Sequence, residues 1–452
     1  MQAFDATIVN VALPSVERSL GIDTATAGWV VTTYLVAASA TMPVAGWLRL
    51  RFGRVRLFVG AVAGFAVASV LCALAPSVIA LVAARAAQGA CAGIILPLTQ
   101  ALLLDLHPKD EHPAILARWG STVVLGPIIG PLLGGALTQF ASWPWIFYVN
   151  VPICALALLG VRGALGPSRR TTGAATAKFD LVGIVLLVLT VTAFELLLQN
   201  GAGLAVSSGR DWIAEVAVTL AGGVLLLRHL ERASQPVIDL QLFRDRNFLG
   251  AVLINVAVGA IFFATITLVP ALIEGPLGRD PLVAGMLMAP RGLATMAAML
   301  AAGQLVKKLD PRAFVLLGLL VTMAGLAMLA ATGPGSGIGW LVGASLVLGI
   351  GAGTLITPLS VLTFLTIMAK SRTDAAGLYN LARQLGSALG VAGVTAVVTA
   401  VVSSRPAASS GFAGYYMAFF LLILLAMLAL PAIALFRRPA PVRAEPESST
   451  SA

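Results

Sequence analysis

The chain has 452 residues, 59% of them hydrophobic and only 11% charged, with a mean hydropathy of +0.96. A soluble globular domain carries about 25% charged residues, so the chain lacks the polar surface to stay in water, and a bilayer is its expected solvent. The net charge of +10 invites a nucleic-acid reading that the placement of the basic residues excludes, and three scattered cysteines in apolar runs (Cys72, Cys91, Cys154) argue against a disulfide framework or a zinc site.

The chain opens on "DATIVNVALP" (5–14), a short apolar segment headed by a carboxylate. Apolar runs of spanning length follow at roughly 25–48, 57–75, 78–104, 115–138, 146–164, 180–200, 212–230, 247–270, 282–305, 313–332, 337–365, 376–402 and 413–436. With the opening stretch this predicts an all-α integral membrane protein of fourteen spans, the first one truncated. With both termini in the cytoplasm, the inner loops and tail hold 22 of the 29 basic residues and the outer loops four, Arg18, Arg210, Arg279 and Arg405. Arg85, Arg291 and Arg383 fall inside spans. The asymmetry sets the orientation and assigns the basic charge to topology.

Two segments echo each other. "GWLRLRFGRVRLF" (46–58) and "GQLVKKLDPRAFV" (303–315) each put Gly-x-Leu at the inner end of a span, followed by a tight basic loop. "GACAGIILPL" and "GIGAGTLITPL" form a second pair at the same offset of eight spans. Two parallel six-span halves with two helices inserted between them produce that offset, the layout of transporters built around a central cavity.

The chain resembles the fourteen-span drug/proton antiporters of the EmrB/QacA type in the major facilitator superfamily. The resemblance covers Asp5 to about Phe436. It is carried by "DATIVNVALP", "GWLRLRFGRVR" (46–56), "LVAARAAQGACAG" (81–93), "GPIIGPLLGG" (126–135), "WPWIFYVNVP" (143–152), "VIDLQLFRDRNF" (237–248), "APRGL" (289–293) and "NLARQLG" (380–386). It implies a major facilitator fold of two six-helix bundles: 1–164, a linker with two inserted helices over 165–232, 233–436, and a disordered cytoplasmic tail over 437–452.

A carboxylate inside a transmembrane helix is costly and is by default a functional candidate. Asp5 is such a group, able to load and release a proton as access alternates. In the family the matching aspartate couples proton entry to export, and the arginine matching Arg85 is implicated in the same step. Thr7 and Asn10 are expected either to share the face of Asp5 or to bond neighbouring helices. Gln88 lies one turn from Arg85 and, with Asn10, Arg291 and Arg383, is a candidate for the substrate cavity or its gates. Gly126, Gly130 and Gly134, with Gly135 adjacent and Pro127 and Pro131 between, form a small-residue stripe that lets another helix approach closely. The resemblance makes this stripe an antiporter motif. The loop at Gly46, Arg51, Gly53 and Arg54 departs from the superfamily pattern, since Leu50 stands where an aspartate is expected, which puts a charge-relay role for it in doubt. Glu195 and Glu215, near the outer ends of the inserted helices, are expected to snorkel.

Other signals carry little. "GIGAG" (349–353) lies inside a span with no strand before it, His107 and His112 sit on a solvated loop, and no Walker lysine is present, so a metal site and ATP coupling are not expected. The reading is a proton-coupled exporter of hydrophobic, often cationic, drugs or toxic compounds, in the cell membrane. It is not an enzyme and needs no cofactor beyond the proton. Its partners are the small-molecule substrate and lipid, with no nucleic acid, and a monomer is expected. Export of one dedicated metabolite, or a non-transporting receptor on the same fold, are the alternatives. Some family members work with a periplasmic adaptor. EmrB-like members often carry a long segment between the last two spans, whereas this chain has "SSRPAASSGF" (403–412), so export across one membrane without an adaptor is expected. From Met1 to Pro14 a helix reaches only about 20 Å of the roughly 30 Å hydrocarbon layer. The expected explanation is a recorded start that is too late, with about 10–20 apolar residues opened by Lys or Arg upstream.

Overall fold

The computed structural model describes residues 2–164, 180–202, 209–404 and 412–437. Most of the expected linker (165–179), the centre of the last outer loop (405–411) and the tail beyond Arg437 lie outside them. The described residues form α-helices and short 3-10 turns, with no strand among them. Hydrocarbon offers no water to backbone N–H and C=O groups, so apolar stretches satisfy them internally, as helices.

In chain order the helices are α1 (Gln2–Leu20), α2 (Thr24–Thr41), α3 (Val44–Phe52), α4 (Arg54–Ala73), α5 (Val78–Leu106), α6 (His112–Phe140), α7 (Trp145–Tyr148) and α8 (Asn150–Ala164). Then come α9 (Leu181–Ala202), α10 (Gly209–Arg232), α11 (Arg246–Glu274), α12 (Pro281–Leu305), α13 (Pro311–Ala330), α14 (Ile338–Leu365), α15 (Arg372–Ser404) and α16 (Ala413–Ala429). Short polar side chains start several of them: Asp23, Ser77, Asp245 and Asp310 accept from the backbone N–H groups of Thr26, Ala80, Asn247 with Phe248, and Arg312.

Eleven of the described helices are long and apolar enough to cross a membrane, or twelve if α2 and α3, bent by 61°, form one span. The expected fourteen is not reached on length and composition. α1 carries Asp5, Glu17 and Arg18 within 19 residues, and the sixth expected span is broken into the four-residue α7 and the 15-residue α8.

α1 packs along α6, α2 and α4 along α5, α11 along α15, and α14 between α12 and α13. The inserted pair α9 and α10 pack on each other, and α9 also touches α2 and α15. One buried cluster joins all three parts of the chain: Leu104 and Leu116, Leu187 and Leu226 of the inserted pair, and Phe248 and Phe364. Apolar side chains also stay on the outside, Leu156 and Phe420 among them, as a lipid-facing surface requires.

The basic loops gather at one end. Gly53, at φ +78°, turns the chain from α3 into α4 in a conformation that other residues rarely adopt. Arg54 follows and forms an ion pair with Asp105 of α5 at 2.6 Å, and Arg372 of α15 donates to the other oxygen of Asp105 at 2.6 Å. Arg49 donates to the Lys370 carbonyl at 2.5 Å, and the Asp374 carboxylate lies against Gly46 where a Cβ would stand. An acid of α5 thus meets the arginine of this loop, and the loop docks on α15. Arg51 takes no part in this ion-pair cluster; it is exposed and lies over the Trp47 ring at 5.9 Å.

Candidate functional site

Asp5 and Arg85 are 80 residues apart in sequence and in contact in the fold, both fully buried. Arg85 Nη1 donates to Asp5 Oδ2 at 2.5 Å and to Gln88 Oε1 at 2.6 Å, and Arg85 Nε donates to the Val30 carbonyl at 3.0 Å. The second carboxylate oxygen accepts from Asn150 Nδ2 at 2.7 Å and Gln88 Nε2 at 3.1 Å. Gln88 also donates to Ser69 at 2.7 Å. The guanidinium lies over the Tyr34 ring at 4.0 Å, with Phe147 on another side at 5.8 Å. Six helices thus contribute to the cluster around one ion pair. Removing either partner of such a buried pair strands a charge and costs about 3–5 kcal/mol. Arg85 Nη2 and Asn150 Oδ1 have no hydrogen-bond partner among the described residues.

Behind the other face of α1 is a central cavity of about 900 Å³. Phe4, Thr7 and Asn10 line it, with Phe65 of α4, Trp119 and Pro127 of α6, and Phe262 and Phe263 of α11. Its wall is mostly apolar, and its volume is at the upper end of ligand sites. Two charged residues interrupt it, Glu195 and Arg383.

The structure brings Asp5, Arg85 and Gln88 together, and places Gln88 in the ion-pair cluster rather than in the cavity wall. Asn10 and Arg383 line the cavity; Arg383 donates to Asn380 at 3.3 Å. Arg291 does not reach the cavity wall: it is 4% exposed and bonds to Thr265 at 2.7 Å. Thr7 and Asn10 do not share the face of Asp5. At 100° per residue, positions two and five further on point away from it, and Ile8, Val9 and Ala12 are buried on the Asp5 side.

The glycine stripe meets α1. A Cβ on Gly130 would overlap Thr7 Oγ1, and one on Gly134 would stand 2.9 Å from the Ile8 carbonyl. Gly126 contributes its carbonyl, which accepts from Thr7 at 3.3 Å. Gly135 faces open space, so it is not part of the contact.

Glu195 corrects the snorkelling expectation. It is 5% exposed, lines the cavity and accepts from Ser39 of α2 at 2.8 Å. α9 is apolar on every side, so its sequence has no periodicity to say which way Glu195 points. Glu215 is half-buried. Asn150 and Asp105 were also missed. Asn150 was visible as the amide in the apolar run "YVNVP", and Asp105 as the last acid before the loop after α5.

A family model described as the Major Facilitator Superfamily matches residues 1–391. The multidrug export protein EmrB of Escherichia coli (strain K12) is 32% identical over 393 residues, 86% of this chain and 76% of that protein. The fatty acid resistance protein FarB of Neisseria gonorrhoeae is 31% identical over 402 residues, 87% and 78% of the two chains. The crystal structure of the human organic anion transporter MFSD10 (TETRAN) superposes with a TM-score of 0.65 at 15% identity, covering 96% of this chain and 98% of that one. That likeness is one of fold. A family model over most of the length, relatives above 30% identity and a helical bundle around a central cavity agree: the chain belongs to the Major Facilitator Superfamily, in the group that contains the EmrB proteins.

Proposed function

We propose that this protein is a secondary active exporter in the cell membrane that exchanges protons for hydrophobic compounds, lipophilic cations among them. The observation that carries the reading is the buried Asp5–Arg85 pair, placed on the opposite face of α1 from the cavity. A proton arriving at Asp5 removes the charge that holds Arg85. The guanidinium then keeps the Val30 carbonyl, Gln88 and the Tyr34 and Phe147 rings, and α1 loses its strongest tie to α5. Because α1 also carries Thr7 and Asn10 in the cavity wall and meets α6 through Gly130, that change reaches the substrate site directly. Loss of the proton restores the pair.

In this reading the basic end, with the termini, faces the cytoplasm. The Arg54–Asp105–Arg372 bridge closes that end while the cavity discharges outward, and the protein works as a monomer with no cofactor beyond the proton. The relatives named for multidrug export support the class of cargo. The test is efflux of a fluorescent lipophilic cation from proteoliposomes under an imposed pH gradient. Gradient-driven transport by the intact chain and its loss in Asp5→Asn are expected. Equal transport by both would refute the coupling site.

One observation favours a second cargo. Arg383 lines the cavity and makes no ion pair among the described residues, which suits an amphiphilic carboxylate. A relative named for fatty acid resistance points the same way. A fluorescent fatty acid in the same assay decides it: transport lost in Arg383→Gln, with cation transport retained, supports this cargo, and no transport by the intact chain removes it.

A further inference from the structure

We propose that the guanidinium of Arg291 and the small cavity beside it form a binding site for one small inorganic monovalent anion, chloride in the cell. Arg291 is 4% exposed and sits in the middle of α12. Its Nη2 donates to Thr265 Oγ1 at 2.7 Å and to the Phe262 carbonyl at 3.3 Å, and its guanidinium lies over the Phe262 ring at 5.2 Å. Nε and Nη1 have no hydrogen-bond partner, and no carboxylate pairs with this arginine among the described residues.

The other arginines of the bundle interior are treated differently. Arg85 faces Asp5, Arg372 faces Asp105, and Arg383 opens on the large cavity, where water can reach it. Arg291 has neither a counter-charge nor that opening. Burying a lone cation in low dielectric is costly, and intramembrane charges are generally paired or hydrated. A neutral partner such as water satisfies the N–H groups and leaves the charge uncompensated. An anion does both, through charge-assisted hydrogen bonds.

There is room for one. A cavity of about 20 Å³ adjoins Arg291, walled by Val258, Phe262, Thr322, Leu348 and Leu355 among others. That is space for a particle the size of a water molecule or slightly larger, which suits a single small ion. Val258 and Phe262 also line the large cavity, so the two cavities share part of one wall. The remaining wall is apolar apart from Thr322, whose hydroxyl already donates to the Gly318 carbonyl at 2.7 Å, so Arg291 alone supplies the charge recognition. The site is independent of the cargo and of the proton coupling proposed above.

The test measures thermal unfolding of the purified full chain in detergent, in potassium gluconate with chloride or bromide titrated in at constant ionic strength. A saturable rise in Tm is expected for the wild type, because a ligand that binds only the folded state stabilises it. It is expected to be lost in Arg291→Met. If that variant does not fold, Ala352→Leu, at another residue of the cavity wall, keeps the guanidinium and fills the cavity, and it too must lose the response. Crystals grown in bromide are expected to show an anomalous peak within hydrogen-bonding distance of Arg291. No halide response in the wild type, or an unchanged response in Ala352→Leu, overturns the assignment, as does bromide bound only elsewhere.

Discussion

Arg372, at the first position of α15, donates to Asp105 near the end of α5 across 267 positions of sequence, at 2.6 Å. The same carboxylate holds Arg54, so a single acid fastens a helix that follows the inserted pair to two that precede it. Asp105→Asn is expected to loosen the basic end by about 1.5–3 kcal/mol, the range for hydrogen bonds to charged groups. Electron–electron distance measurements between spin labels on the loops after α5 and α14 should show a longer, broader distribution in the variant. An unchanged distribution would show that apolar packing alone holds this end.

Asp5→Asn retains the shape of the cluster and removes its negative charge. The stranded guanidinium should lower stability by about 3–5 kcal/mol. The double variant Asp5→Asn/Arg85→Gln is expected to recover most of that stability while transporting no better. Thermal unfolding and pH-gradient-driven efflux, measured on the same preparations, separate the two effects. Restored transport in the double variant would mean that the pair is structural.

Gly130→Ala is expected to cost about 1–3 kcal/mol, the range for overpacking, because the new methyl overlaps Thr7 Oγ1. Thr7→Ala in the same chain should return part of the loss. Gly135→Ala is the control, since its Cβ meets nothing within 4 Å. Tm values of the four proteins check the order. Equal losses at Gly130 and Gly135 would place the contact with α1 elsewhere.

Glu195→Gln keeps a hydrogen-bonding group opposite Ser39 and removes the only carboxyl group among the residues lining the cavity. The expected result is a rise of about tenfold in KM for lipophilic cations, equivalent to ~1.4 kcal/mol, with neutral compounds unaffected. A uniform loss across both classes would assign Glu195 to holding α9 against α2.

The sequence shows the solvent, the helices and the cost of each buried charge, because these depend on local composition. Asp5 and Arg85 stand out at that level: a charge in an apolar run is expensive wherever the helix is turned. Their partners do not. Asn150 reaches Asp5 from 145 positions away, and Asp105 meets Arg54 and Arg372 from another helix. Nothing in the chain between them encodes either pairing locally.

Rotation about the helix axis is the other quantity that only the tertiary structure decides. In a soluble helix, water selects the polar face and leaves a period of 3.6 in the sequence. In a bundle where lipid and core are equally apolar that selection is absent, so α9 reads as uniformly hydrophobic and the single arginine of α12 does not show which way it faces. Sequence reading accordingly turned Glu195 outward and treated Arg291 and Arg383 as equivalent. Packing separates them: Glu195 and Arg383 face the cavity, while Arg291 is enclosed beside Phe262 and Thr265. The sequence by itself determined which residues had to be accommodated inside the membrane, and the contacts between helices decided where each one points.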